Sequence, residues 1–550
     1  MKKTNKERFG CLAVILLLIL SVPWAAYAGE KPVKNVIFLM TDGTSAAHIA
    51  LARWYKGGPL ALDGILTGAV RTYSAESVIT DSAPAATAFA TGFKSNSKFV
   101  GVLPATTSVP GVAVVADSMK YRPLATVLEG ARLAGKAVGL VATANIQHAS
   151  PAAFSAHTPD RNDYNLIAKQ QVYNSIDVVL GGGRQYLLPV EAGGRRTDGQ
   201  DLTAVLRDRG YAVVATGPEM QEVKEGKLWG LFAADDMQYD MDRQLIAPHE
   251  PSLADMTRKA IEILSQQDKG FFLFVEASKV DWASHANEPM GVVSDLLAYD
   301  EAVGAALEFA RRDGQTLIIA CADHGNGGMT IGSKEVYSFY EKVPYERLME
   351  PLKKARLTGA GVASLLMGDR SEEAVRQIME TYYGLSDLTV AEVTAIQETR
   401  KASALMTVIG HMLSARSAIG WVYAGHSGED VFLYSYGPAK LTGLVENTYI
   451  ATASARVLGV DLAALHRDLY VPASEAFAPL GATLALTDEP GRRVLTVTKG
   501  NQTLQLPLDT DLLLTNGGIH RLPGVTVYIP QNQTVYVARA AVDMAKAAGF

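Results

Sequence analysis

The chain has 550 residues, 48% of them hydrophobic and 20% charged, with a formal net charge of −6. That is the composition of an ordinary globular protein, long enough for one large domain with appendages or for several smaller ones. Its mild acidity argues against electrostatic nucleic-acid binding.

In chain order, Lys2, Lys3, Lys6 and Arg8 precede an apolar stretch from Leu12 to Val22 that ends in Ala26-Tyr27-Ala28. A basic start, an apolar core short for a membrane span and a small-x-small end predict a secretory signal over residues 1–28. The exported chain then begins at Gly29, carries no transmembrane span and resides in the periplasm, outside the cell or at its surface. Cys11 sits at the front of the apolar stretch, which argues against a lipoprotein anchor. Residues 1–28 hold four Lys/Arg and one Glu, so their removal moves the formal charge from −6 to −9. Cys321 is then the only cysteine, and no disulfide forms within the mature chain.

Short β-rich runs alternate with longer helical patterns, which predicts an α/β fold with a largely parallel central sheet and helices on both faces. The predicted strands are Asn35–Met40, Ala137–Thr143, Val178–Leu180, Phe271–Val275, Thr316–Ala320 and Val431–Ser435. Ligands gather at the carboxyl ends of strands in such sheets. Four of these runs lead into candidate ligands: Asp42, the Asn145–Ser150 segment, Glu276 and Asp323.

Downstream of the first strand, Val78-Ile79-Thr80-Asp81-Ser82-Ala83-Pro84 sets a serine between an acid and small residues. Such a serine suits an exposed nucleophile at a helix start, where backbone N–H groups and the dipole favour phosphate. The same run is also a common N-cap. His148, Ser150 and Arg161 follow the second strand. Asp281 and His285 are four apart and share a face if Asp281 opens a helical turn, although structural pairs of that spacing are frequent. Asp323-His324 ends the fifth run; a capping Asp beside a satisfied His would look the same. His426 lies between glycines in Gly425-His426-Ser427-Gly428, which let the backbone approach a crowded site. Mixed His and Asp ligands favour zinc, whereas the all-oxygen set Asp42, Ser150 and Glu276 favours magnesium.

About a hundred residues between Asp323-His324 and His426 read as helices, including Ser371–Tyr383 and Val390–Ser414. An insertion of about 330–415 at a strand's carboxyl end projects over the site, as a lid, a crown or a plain structural subdomain. Residues 466–550 change texture to short strands with Gly, Asn and Pro turns: Ala482–Leu486, Val494–Lys499, Thr503–Leu506 and Val525–Ile529. They predict a separate small α+β domain after a main domain of 29–465.

Taken together, five ordered motifs resemble the alkaline phosphatases: Thr41-Asp42-Gly43, Thr80-Asp81-Ser82-Ala83, His148-Ala149-Ser150-Pro151 with Arg161, Glu276-Ala277-Ser278-Lys279-Val280-Asp281 with His285, and Asp323-His324 followed by His426-Ser427-Gly428. The resemblance covers roughly Lys34 to Ala464. It implies an alkaline phosphatase-like fold and hydrolysis of small-molecule phosphate monoesters through a phosphoserine, with release of inorganic phosphate. Ser82 would be the nucleophile and Arg161 the phosphate clamp, oriented by Asp81. Asp281, His285 and His426 would hold one Zn2+; Asp42, Asp323 and His324 the second; Asp42, Ser150 and Glu276 a Mg2+. Two departures stand out. Where the best-known bacterial pattern has Asp and Lys, this chain has His148 beside the third metal and Trp282 near the phosphate. An imidazole there disturbs the shell that orders magnesium waters, or recruits a third zinc outright.

The tail loosely resembles stalk modules named after the N-terminal domain of copper amine oxidases. His520 is the only histidine after Tyr470, so the resemblance does not imply copper. Surface attachment, homodimer packing and a stabilising appendage all stay open for it. Among competing readings, a sulfatase would need an arginine where Ala86 stands. A phosphodiesterase of the same superfamily would typically lack the Arg161 clamp and the third metal site. A non-catalytic surface protein would have no need of the intact nucleophile and ligands.

Overall fold

A computed structural model describes residues 32–550, so the predicted signal segment lies outside the described residues. No helix among the described residues is long and apolar enough to cross a membrane. The centre is a ten-stranded sheet of β1 (Asn35–Thr41), β2 (Leu66–Arg71), β3 (Ala137–Asn145), β4 (Val178–Gly182), β5 (Tyr211–Val214), β6 (Lys227–Leu231), β7 (Phe271–Ala277), β8 (Thr316–Ala322), β9 (Val431–Tyr436) and β10 (Gly443–Glu446). Their spatial order is β10-β2-β9-β8-β1-β7-β3-β4-β6-β5, and β9 alone runs antiparallel to its neighbours. β1, β3, β7 and β8 are buried at every position. Helices cover both faces of these strands, which explains their nearly unbroken apolar sequences.

All six predicted strands are present, each running slightly further than its apolar run. The four that the sequence did not reveal are β2, β5, β6 and β10, short strands in the outer parts of the sheet. β2 illustrates why. Its Leu-Thr-Gly-Ala-Val-Arg buries only Val70 fully, and Gly68 reads as a break. In the fold, Gly68 lies against the backbone of Gly443 on β10, where a Cβ would collide.

Register places the chemistry. Thr41 pairs with Ala277 on β7 and with Ala322 on β8, so Asp42 and Asp323 leave the sheet at one level, beside Glu276. The insertion forms five α-helices, Tyr345–Lys353, Gly359–Leu365, Glu372–Tyr383, Val390–Glu398 and Ala402–Arg416. The helix expected over Val390–Ser414 is thus two, parted where the Thr399 carbonyl accepts from Arg370. Their apolar faces close on one another and on Leu51, Met290 and Val293 of the body. The insertion leans on the residues just past His285: Ser414 Oγ donates to the Asn287 carbonyl at 3.4 Å, and Gly410 lies against Glu288.

The tail is α+β, with a five-stranded antiparallel meander, a three-stranded sheet and the helices Ala473–Phe477 and Arg539–Ala547. It has its own apolar core around Phe477, Val497, Leu506 and Ala541. Tyr470, Val525, Val527, Ile529 and Tyr536, however, belong to the same core as Val127 and Leu128 of the body. Polar fastenings reinforce this join. Arg209 and Asp511 form an ion pair at 2.5 Å with both side chains nearly inaccessible, and Gln170 donates to Asp509 at 2.8 Å. The Tyr470 hydroxyl donates to Glu129 at 2.5 Å and lies 2.7 Å from His157 Nε2. Burial pushes the Glu129 carboxyl up, but the His157 ring and the Tyr470 hydroxyl hold it down at about 2.

Tyr470→Phe keeps the ring and removes a hydrogen bond to a buried charge. It should lower unfolding stability by about 1.5–3 kcal/mol, read as an earlier urea midpoint at unchanged slope. An unmoved midpoint would show that the hydroxyl fastens nothing.

Candidate active site

Four loops at the carboxyl ends of the central strands converge on one point. Gly43, at φ +65°, follows Asp42 and presses so close to the Asp281 backbone that no Cβ would fit. Its N–H donates to Asp323 Oδ1 at 3.0 Å, and the His324 N–H donates to the same oxygen at 2.9 Å. The carboxylate is thereby aimed, with Oδ2 left without a partner.

The three histidines of the expected zinc ligands share one arrangement. Each has Nδ1 against a backbone carbonyl: His285 on Ala424 at 3.0 Å, His426 on Thr80 at 2.8 Å and His324 on Gly325 at 3.2 Å. A carbonyl only accepts, so each Nδ1 carries a proton and each Nε2 points inward. His285 Nε2 and His426 Nε2 stand 3.1 Å apart, and Asp281 Oδ2 is 3.3 Å from His285 Nε2. His324 Nε2 lies 3.5 Å from Asp42 Oδ1, 3.3 Å from Asp323 Oδ2 and 3.3 Å from Ser82 Oγ.

Ser82 opens the helix Ser82–Thr91, which is buried along its whole length. Asp81 occupies the N-cap position but its side chain makes no capping bond. Instead, Asp81 Oδ1 accepts from Arg161 Nη1 at 2.5 Å, and Oδ2 accepts from the Lys98 N–H at 3.0 Å. The simple N-cap reading of this run therefore fails. Arg161 also donates from Nη2 to His148 Nε2 at 3.1 Å, and Trp282 packs edge-on to the His148 ring with centroids 5.5 Å apart. Trp282 thus reaches Arg161 through His148, while the Lys279 ammonium lies 4.4 Å above its indole.

Among the described residues, three groups have ligand atoms within 4.8 Å of one another: Asp281, His285 and His426; Asp42, Asp323 and His324; and Asp42, Glu276 and His148. The first two are the sets that the resemblance implied. In the third, His148 joins Asp42 and Glu276, and Ser150 is fully buried beside the Glu276 carboxyl.

Electrostatics follow from this crowding. Burial, then the charges of Asp323, Asp281 and Glu276, push Asp42 well above the carboxylate range. Burial, with Asp323 nearby, pushes Glu276 up to about 8. Burial raises Asp281 too, but the neighbouring imidazoles outweigh it and hold the group below the usual range. His285 in turn is raised to about 9 by its bond to Asp281. Burial and the Arg161 charge lower His148 to about 3, leaving a neutral ring whose one lone pair, on Nε2, accepts from Arg161. Asp42 Oδ2, both Glu276 oxygens, Asp323 Oδ2, Ser150 Oγ and His148 Nδ1 are buried without a hydrogen-bond partner. Buried carboxylates without donors fit cations, which meet the same lone pairs.

Asn326 was not foreseen. Its amide donates to Asp281 Oδ1 at 2.7 Å and to the Asp281 carbonyl at 3.0 Å, and its residue pairs with His426 in a two-residue antiparallel bridge. The signal was available, since Asn326 stands two residues after His324 in a glycine-flanked loop.

The alkaline phosphatase family model matches residues 33–460. The chain is 34% identical to alkaline phosphatase 3 of Bacillus subtilis over 458 residues, which is 78% of this chain and 91% of that one. The crystal structure of Thermus thermophilus alkaline phosphatase superposes with a TM-score of 0.68 at 29% identity, covering 80% of this chain and 95% of that one. A solved variant of the TAB5 alkaline phosphatase, with a histidine replaced by aspartate and Mg bound in its M3 site, aligns at a TM-score of 0.55 and 25% identity, covering 79% of this chain and 100% of that one.

Arg161→Ala should weaken inhibition by inorganic phosphate and raise KM. The loss expected for its charged hydrogen bonds is about 1.5–3 kcal/mol, roughly ten- to a hundredfold in the inhibition constant. An unchanged inhibition constant would remove Arg161 from the anion site.

Proposed function

This chain belongs to the alkaline phosphatase family, and we propose that it is an exported enzyme hydrolysing small-molecule phosphate monoesters through a phosphoserine at Ser82. The observation that carries this reading is the inward turn of three backbone-anchored imidazoles beside the unpartnered Oδ2 atoms of Asp42 and Asp323, with His324 Nε2 3.3 Å from Ser82 Oγ. Asp281, His285 and His426 would hold one zinc, and Asp42, Asp323 and His324 the other. Asp42, Ser150, Glu276 and His148 would hold the third ion. The oxygens there favour magnesium and the imidazole favours zinc. Bound, these ions would supply Lewis-acid charge neutralisation and make the serine alkoxide accessible near neutral pH.

The chain's own residues do the rest. Arg161 offers a planar fork to two phosphoryl oxygens, and Asp81 fixes that fork from behind. Ser82 Oγ sits at the first turn of its helix, where the backbone N–H groups and the dipole favour a dianionic phosphoryl group. Attack by Oγ on phosphorus forms the Ser–O–P bond and expels the alkoxide or phenoxide. A water arriving from the side that the leaving group vacated then breaks the new bond and releases inorganic phosphate. Two in-line displacements give net retention at phosphorus. Export rests on the basic, apolar and Ala-Tyr-Ala pattern of residues 1–28. We also infer that the tail acts as a stabilising part of the enzyme, because its core runs into that of the body.

The testing experiment compares turnover of an aryl phosphomonoester and its diester before and after chelation, with zinc or magnesium restored. Monoester turnover that is lost on chelation and regained with zinc supports the reading; preferential diester turnover overturns it. Ser82→Ala should abolish trapping of labelled phosphate on the acid-quenched chain while zinc content stays at the wild-type level. Labelling of that variant at wild-type levels would place the nucleophile elsewhere. At the third position, activity should rise with added magnesium, and His148→Asp should reduce that dependence. A magnesium titration with metal content per chain measures both, and full activity with no third ion would remove that site.

A further inference from the structure

His48 is buried at the start of the helix Ala46–Lys56, a short way along the chain past Asp42, and it is bonded on both ring nitrogens. The Ser45 N–H donates to His48 Nδ1 at 2.9 Å. That nitrogen is therefore unprotonated, and the proton resides on Nε2, which donates to Ser284 Oγ at 3.1 Å. Ser284 Oγ in turn donates to the Val280 carbonyl at 2.8 Å, one turn back in the helix Lys279–His285. The donors and acceptors run in one direction without a conflict. This relay ties the loop that carries Asp42 to the helix that carries Asp281 and His285. Ser45 makes a second tie, because its Oγ donates to Glu429 Oε1 at 2.6 Å, three residues past His426. Gly325, next to His324, lies so close to Ser45 and Glu429 that no side chain would fit. Trp421 closes the outer side of the imidazole, with ring centroids 6.1 Å apart.

We infer that His48, acting through Ser45 and Ser284, is a positioning residue that sets Asp281, His285 and His426 at the spacing one divalent cation requires. This inference rests on the reading of that trio as a cation site. A ring bonded at both nitrogens fixes the distance between loop and helix, whereas an apolar side chain of similar size would fill the space and leave the helix free to rotate or slide. Partners behind ligating groups commonly change metal affinity by about 10–100-fold when lost.

The test is zinc affinity of the metal-stripped, full-length protein, measured by competition with a chromophoric chelator and accompanied by circular dichroism and melting curves. Wild type should show two tight affinities; their absence would overturn the cation-site reading itself, whatever the variants do. His48→Leu should weaken one affinity by about 10–100-fold and leave the other in place. His48→Gln should restore most of the loss, since its amide oxygen accepts and its amide nitrogen donates. Ser284→Ala removes the relay's acceptor at little steric cost, and decides the matter if His48→Leu does not fold. It should weaken the same single affinity. Unchanged affinities in a folded His48→Leu or Ser284→Ala protein overturn the inference. So does a parallel loss at both sites with a lowered melting temperature, which would make His48 a packing residue only.

Discussion

Asp42, Glu276, Asp281 and Asp323 are all nearly or fully buried, and they act on one another's charges. Two such charges 4 Å apart repel by about 4 kcal/mol at the effective dielectric of a protein surface, and by more in a drier interior. A fold that places four together must either protonate them or surround them with positive charge. Asp42 and Glu276 are driven toward protonation, while Asp281 is held ionised by His285 and its neighbours. Divalent ions resolve the conflict without protons, and the inward Nε2 atoms supply the neutral ligands such ions need. Backbone carbonyls under every Nδ1 fix both the tautomer and the aim.

Only a rigid frame can hold such a set together against its own repulsion. The parallel registers of β1, β7 and β8 bring the ends of three strands to one level, and helices on both faces keep those strands dry. Around this frame, the insertion and the tail both bury apolar surface against the body. The insertion leans on Asn287 and Glu288, directly beyond His285, so its packing bears on the outermost ligand helix. The tail joins far from the ligands through Tyr470, Glu129 and His157. His157 also reaches the Gly101 carbonyl at 3.0 Å, in the segment after the helix that Ser82 opens. Both appendages thus pack against segments that lead to the candidate site.

The sequence made the central strands legible because they are covered on both faces and read as unbroken apolar runs. Their terminal acids were legible for the same reason, since a carboxylate directly after such a run has no role in packing. Outer strands such as β2 and β5 are each fully buried at one residue only and contain small or polar positions, so their runs fall below notice. The ligand sets came from motif order. Their cross-links, Asn326 to Asp281 and Ser45 to Glu429, join residues distant in sequence and leave no local pattern. His48 is harder still. A lone histidine at the start of an amphipathic helix is indistinguishable, in sequence, from a satisfied core residue. The joined cores of body and tail were also invisible, because a change of texture marks a new unit but not what it packs against.

His148 shows how two functions meet on one side chain. A neutral imidazole has a single lone pair to offer along its ring edge, and here Nε2 accepts from Arg161, which leaves the proton on Nδ1. In that state the ring is bonded to Arg161 and cannot also ligate through Nδ1. If instead the ring gives a lone pair to a cation beside Asp42 and Glu276, then either Arg161 loses its acceptor or the proton moves to Nε2, where two donors would face each other. Arg161 would then keep only its bond to Asp81 and gain freedom to turn toward phosphate. Cation binding by the His148 ring and its hydrogen bond to Arg161 are therefore opposed through one proton on one ring. A carboxylate in the same place has lone pairs enough for both partners and imposes no such choice.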